Sequence, residues 1–204
     1  MNRPANPRQK DFFDGLARRW DSVTRHDPAK VGEIADSLEL SPSHRVLDVG
    51  TGTGVMVPFY ERTVTQGGIV AIDYSENMIE VCREKFPAPE HPHTEFRVAD
   101  LYGFDDPDGF DRIVCYSCFP HFPDQPEAIS RLSRMLRPNG KLAVAHSSSR
   151  DTINRVHTEA GEEVCMDFLP PATETASMMA AAGLAVEKAR DDAEMYLVIG
   201  RRAR

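Results

Sequence analysis

The spacing of apolar and polar positions changes period repeatedly along the chain, and each change predicts an element. Helical spacing comes first: Phe12, Phe13, Leu16, Ala17 and Trp20 give Asp11 to Trp20 one apolar face. Val31, Ile34, Ala35 and Leu38 repeat the pattern in Pro28 to Leu40, with Pro28 suited to a first helical turn. Ser41-Pro-Ser43 interrupts it. Short apolar, β-branched runs then alternate with helical stretches. Arg45 to Val49, Ile69 to Asp73, Thr94 to Asp100, Asp111 to Tyr116 and Lys141 to Ala145 are predicted strands. Between them lie helices from Gly54 to about Thr63, from Ser75 to Phe86 with Met78, Ile79 and Cys82 facing inward, and from Asp124 to Arg137. Asp124 and Glu127 have the spacing of a capping box, and Pro138-Asn-Gly140 ends that last helix. Residues 147–170 are polar and less regular. Ala172 to Ala182 is helical up to Gly183, and Leu184 to Arg190 with Met195 to Gly200 read as an antiparallel pair.

Strands that alternate with helices imply right-handed crossovers and therefore an α/β fold: a doubly wound, mainly parallel seven-stranded sheet with helices on both faces and a C-terminal antiparallel hairpin. Residues 1–40 are expected to form an N-terminal helical lid or extension, and 41–204 the main domain. Residues 1–9, with their Asn, Pro and Arg, are expected to be disordered. No internal repeat or linker divides the chain.

Composition narrows the partners. A chain of 204 residues with 41% hydrophobic and 27% charged residues has the make-up of one soluble globular domain. Its net charge of −8 argues against a nucleic-acid partner, which needs clustered Lys and Arg. The basic runs Arg3 to Lys10 and Arg201 to Arg204 read as solvated tails. No apolar run approaches a membrane span and the start lacks a signal-peptide core, so no membrane partner and a cytoplasmic location are expected. The four cysteines are too few for a disulfide framework and read as free thiols.

The chemistry gathers at strand ends. Gly50, Gly52 and Gly54 follow the first strand at alternate positions, where a tight turn delivers backbone amides to a ligand. In a doubly wound sheet ligands collect beyond the carboxyl ends of the strands. Asp48, Asp73 and Asp100 occupy or precede three successive such ends. Asp73, about twenty residues past the glycine turn, is placed to accept both hydroxyls of a ribose, and Asp100 to accept an adenine amino group.

Val46-Leu-Asp-Val-Gly-Thr-Gly-Thr-Gly54, Ala71-Ile-Asp-Tyr-Ser-Glu-Asn-Met78, Val98-Ala-Asp100 and Met135-Leu-Arg-Pro-Asn-Gly140 resemble the motifs of class I S-adenosylmethionine-dependent methyltransferases, of the small-molecule type that includes quinone-biosynthesis enzymes. The resemblance covers residues 45–146. It implies a Rossmann-like fold, S-adenosylmethionine as methyl donor and a small-molecule acceptor; the C-terminal hydrophobic hairpin allows a homodimer as well as a monomer. By carry-over, Gly50 and Gly52 border the methionine part of the donor and Asp48 shapes the turn. Asp73 holds the ribose, Met78 and Leu101 sandwich the adenine, Asp100 bonds its amino group, and the backbone around Cys115 faces the amino end. Alternate glycines favour this donor over NAD, whose loop is G-x-G-x-x-G. A nucleotide-dependent oxidoreductase and a non-catalytic donor-binding protein are the alternatives.

On the acceptor side, Phe12 to Asp21 is similar to the lid of small-molecule members, where an aromatic near Trp20 covers the site. His121 matches a histidine that relatives carry after the fourth strand. His146 sits at the exit of the fifth strand and ranks above His157 as a candidate. If Arg150 to Glu159 is helical, Arg150, Asn154 and His157 share a face. Trp20, Arg150 and Asn154 are thus candidate substrate binders, and His121, His146 and His157 candidate bases, oxyanion donors or metal ligands. No metal site is expected: Cys115 and Cys118 are half a zinc site with no second pair, and Cys165 adds no convincing metalloid cluster.

Overall fold

The computed structural model describes residues 7–204. Its strands are β1 (Arg45–Val49), β2 (Gly68–Asp73), β3 (Thr94–Val98), β4 (Phe110–Tyr116), β5 (Leu136–His146), β6 (Leu184–Asp191) and β7 (Tyr196–Arg202). They form one sheet in the order β3-β2-β1-β4-β5-β7-β6. β1 to β5 are parallel, and β7 runs antiparallel between β5 and β6. The helices are α1 (Pro7–Leu16), α2 (Trp20–Val23), α3 (Pro28–Ser37), α4 (Val57–Glu61), α5 (Glu76–Lys85), α6 (Gln125–Met135), α7 (Arg150–Glu159) and α8 (Ala172–Ala181). The expected Rossmann-like sheet and its hairpin are present.

Strand periodicity builds the two faces of the core. Successive side chains point to opposite sides, so Leu47 and Val49 join Ile113, Val144, Ile129 and Leu132 on one face. Val46 goes to the other face, with Ile69, Val114 and Ala143 under Val31 and Ile34 of α3 and Leu38 at its C-cap. Ile34 and Leu38 are fully buried, and burying each such side chain contributes about 1.5–3 kcal/mol. α3 is therefore built into the sheet's helical layer. It starts where Asp27 caps it by accepting from the amides of Ala29 and Lys30.

Several boundaries differ from the expectation, each for a local reason. Residues 1–6 of the expected disordered tail lie outside the described residues, but Pro7 to Gln9 belong to α1, and Gln9 is buried. The single helix expected over 11–20 tightens at Ala17–Arg19 before α2. After Gly54 the chain continues in turns, and only Val57–Glu61 is α-helical. Pro58 has no N–H to extend a longer helix backward. Pro138-Asn-Gly140 lies inside β5: register jumps from Phe110↔Leu136 to Arg112↔Lys141, and the intervening residues bulge with Asn139 at φ 63°. In the irregular stretch, Arg150–Glu159 is helical, with Ser149 Oγ capping Thr152 N at 3.2 Å.

Candidate functional site

β1 carries the chain through the core to Val49, where the glycine turn begins. Gly50 and Gly52 have φ of 64° and 56°, a region glycine enters without the clash of a Cβ. A Cβ added at Gly50 would sit 2.6 Å from that of Cys118. Asp48 lies behind the turn. It accepts hydrogen bonds from Thr51 Oγ1 at 2.7 Å and Tyr60 OH at 3.1 Å, and burial pushes its carboxyl up to about 7. Two thiols brace the same turn from outside: Cys118 Sγ donates to Val49 O at 3.0 Å and Cys82 Sγ to Gly52 O at 3.1 Å.

Asp73, at the end of β2, ties this turn to α5. Its Oδ2 accepts from Gly52 N and its Oδ1 from Ser75 N, each at 2.9 Å. Burial raises its carboxyl to about 6 against the lowering effect of those amides. Asp100, just past β3, accepts from Tyr102 N at 3.0 Å. Gly50, Gly52, Asp73, Met78, Asp100 and Leu101 all line one cavity of about 530 Å³. Asp48 and Cys115 are buried and do not line it, whereas Tyr116, Ser117 and Cys118 do.

α1 and α2 roof the cavity. Phe12, Phe13 and Trp20 line it, and Phe13 meets Trp20 edge to face at 5.6 Å between centroids. A methyl added at Gly52 would lie 3.6 Å from the Trp20 indole nitrogen. Polar contacts fasten the roof to the glycine turn and α5. Asp14 accepts from Ser75 Oγ at 2.5 Å and Asn77 N at 3.2 Å; Asp21 accepts from Thr53 Oγ1 at 2.5 Å and Lys85 Nζ at 2.7 Å.

The three histidines singled out from the sequence have different surroundings. His121 and His157 line the cavity with ring centroids 4.9 Å apart. His121 Nδ1 lies 2.7 Å from Asp167 Oδ2, and His157 Nδ1 donates to the Asp167 carbonyl at 2.5 Å. Desolvation, with His121 next in effect, pushes His157 down. His146 is fully enclosed, packs 6.1 Å from the Tyr196 ring and does not line the cavity. Neither of its ring nitrogens has a partner, and burial lowers its pKa to about 3. Arg150 and Asn154 also stay outside the cavity lining. Arg150 pairs with Asp191 at 3.1 Å, and Asn154 clamps Leu169 through Nδ2 to its carbonyl at 3.1 Å and Oδ1 to its amide at 2.7 Å.

Five further groups line or brace the cavity. His26 Nδ1 lies 2.9 Å from Tyr116 OH, which lies 2.7 Å from Ser147 Oγ, so a polar string crosses the cavity wall. Asp167 and Gln9 complete the set, with Gln9 Nε2 donating to Asp167 Oδ2 at 2.6 Å. Only the end of β4 as a ligand-facing position pointed to Tyr116; nothing in local spacing marked the others. Among the described residues, no cluster of three or more His, Cys, Asp or Glu is arranged to hold a metal ion. The arrangement suits positional chemistry: a backbone-lined turn, two carboxylates, an apolar roof and imidazoles line one cavity.

Residues 46–140 match the family model described as methyltransferase domain. The chain is 31% identical over 154 residues to the methyltransferase GfsG of Streptomyces halstedii, covering 72% of this chain and 55% of that protein. It is 26% identical over 149 residues to the ubiquinone/menaquinone biosynthesis C-methyltransferase UbiE of Geotalea daltonii, covering 69% and 63%. The chain thus spans about half the length of the first curated relatives it matches, 55% and 39% of the first two. In fold it is similar to a SAM dependent methyltransferase from Aquifex aeolicus, with a TM-score of 0.72 at 20% identity over 92% of this chain and 97% of that one.

Proposed function

Residues 46–140 belong to the methyltransferase-domain family, in its class I S-adenosylmethionine-dependent form, and from that premise we propose that the protein transfers a methyl group from S-adenosylmethionine to a small-molecule acceptor. The observation that carries this reading is the direct bond between the Gly52 amide and Asp73 on the wall of one cavity. It brings the turn and the nucleoside acid of the expected donor footprint together.

The residues present fit that donor. Each Asp73 oxygen takes one backbone amide and has a second acceptor position for a ribose hydroxyl. Asp100 keeps one oxygen free of the amide bond that Oδ1 makes, to accept an adenine amino group. Met78 and Leu101 offer the apolar faces between which a base sits, and Gly50 and Gly52 leave room for the methionine chain. Asp48 acts from behind by fixing Thr51, and the backbone from Tyr116 to Cys118, next to Cys115, receives the amino end.

The donor supplies a methyl group on a sulfonium cation, open to in-line displacement. The protein's part is then to hold an acceptor about 3 Å from that carbon and to exclude water. Phe12, Phe13 and Trp20 supply the cover, which assigns the lid role within residues 1–40 to α1 and α2. His121 and His157 face the acceptor space. His146, Arg150 and Asn154 support the wall instead.

Two measurements test the reading. Calorimetry should show binding of S-adenosylmethionine and S-adenosylhomocysteine, and incubation with a small-molecule library should release S-adenosylhomocysteine. Absence of donor binding, or binding of NADH in its place, would overturn it; donor binding with no turnover on any acceptor would leave a binding protein.

A further inference from the structure

We propose that Asp167, on the segment between α7 and α8, is a positioning residue that makes His121 the proton acceptor of the site, and that the molecule methylated is not a cation, is largely apolar and presents a hydroxyl group. This rests on the methyl-transfer reading above. The three candidate histidines are separated by what their Nδ1 atoms meet. His146 meets nothing, and it lies off the cavity. His157 Nδ1 donates to a carbonyl, which cannot ionise. His121 alone faces a carboxylate, Asp167 Oδ2 at 2.7 Å.

An ionised carboxylate only accepts hydrogen bonds, so His121 Nδ1 carries the hydrogen and Nε2 carries the lone pair. A proton taken up at Nε2 creates a positive charge directly beside Asp167, which stabilises it. The same Oδ2 accepts from Gln9 Nε2 at 2.6 Å, and Gln9 Oε1 accepts from Tyr74 OH at 3.1 Å. The carboxylate is therefore oriented from the roof helix α1, and through Tyr74 from the residue following Asp73. The base is complete only when the roof is in place. The other titratable groups that feel His121 are His157 and His146, both pushed down by burial, and Asp73, which lines the same cavity.

The cavity selects the acceptor. Phe13 lies against His121 at 5.0 Å between centroids, and Phe12, Val156 and Val164 line the same space. The lining carboxylates are Asp73 and Asp100, both on the donor side. None remains to hold a cationic amine, and the lining includes the cation Arg25. A hydroxyl is the group that fits an apolar space and needs a base as it reacts. Its oxygen lone pair forms the new bond to the methyl carbon while the carbon–sulfur bond breaks and its pair returns to sulfur. The hydroxyl proton passes to His121 Nε2 and leaves later to solvent.

Nitrogen-15 NMR of the full chain tests the positioning step without turnover: His121 is expected as the Nδ1–H tautomer, and Asp167→Asn should lose that preference. A series of para-substituted phenols of graded acidity, assayed by mass spectrometry beside amines and thiols, tests the acceptor class. In Asp167→Asn, kcat should fall on the order of 100-fold on the least acidic phenol, and progressively less as the phenol becomes more acidic. An Nε2–H tautomer in the unmodified protein, an equal loss across the series, or amines or thiols methylated while the phenols are not would overturn the inference. Donor calorimetry on the same samples separates the cases: lost donor binding refutes the methyl-transfer reading itself, while retained binding confines the failure to Asp167 and the hydroxyl.

Discussion

Asp48→Asn is expected to stabilise the free protein, although Asp48 sits in the most motif-like segment of the chain. Its carboxyl is fully buried, and desolvation is the largest cause of its rise from 3.8 to about 7, followed by the opposing bonds from Thr51 and Tyr60. A folded-state pKa above the unfolded value means that the folded protein binds the extra proton, so this group's contribution falls as pH rises from about 4 to 7. Above that window the penalty is 3.2 units, which at 1.36 kcal/mol per unit is about 4 kcal/mol. At pH 5 it is only about 1.6 kcal/mol by the same conversion. Both partners are hydroxyls that can also accept, so an Asn amide can donate to one of them without an unpaired group. Calorimetric melting of both proteins at pH 5 and pH 8 should show the variant ahead at both. Its lead should be wider at pH 8, by roughly 5–10 °C at 2–4 °C per kcal/mol. A variant that melts lower, or leads by the same margin at both values, would refute the desolvation argument.

Other perturbations separate the roles of neighbouring groups. Asp73→Ala should weaken S-adenosylmethionine binding by about 1–3 kcal/mol, roughly 5- to 150-fold in Kd; unchanged affinity in a folded variant would remove the ribose assignment. Gly50→Ala should destabilise the turn by at least about 1 kcal/mol, because its φ is 64° and its Cβ would strike Cys118; a melt unchanged from the parent would contradict that geometry. His146→Leu should leave turnover intact. It should also flatten the acid limb of the stability curve, since a pKa lowered from 6.5 to about 3 means stability is lost as pH falls through that window. Asp21→Ala, which cuts the roof from Thr53 and Lys85, should speed donor release in stopped-flow measurements, and an unaltered rate would show that the latch is idle.

The fold was legible because burial is periodic and local. β-branched runs mark β1 to β4 to within two residues and the core of β5, and the glycines mark the turn by a requirement no other residue meets cheaply. The acceptor side was not, because it depends on which polar groups meet across the fold. His121 and Asp167 are 46 positions apart, and Gln9 and Asp167 158; no local spacing encodes either pair. For His146 the local pattern does carry the answer. Strand alternation puts it on the same face as Val144, which packs in the main core cluster, and so predicts a ring turned into the core instead of the ligand. Arg150 and Asn154 share a helix face with His157, yet a common face does not ensure a common cavity: each is taken by a nearer partner.

The burial of three of the four sulfurs has a practical consequence. Cys82, Cys115 and Cys118 are enclosed, and only Cys165 is partly open to solvent. Ordinary maleimide chemistry on the unaltered chain should therefore attach a single dye, two positions from Asp167. Opening of the roof would then be readable as fluorescence, without engineering a label into the protein.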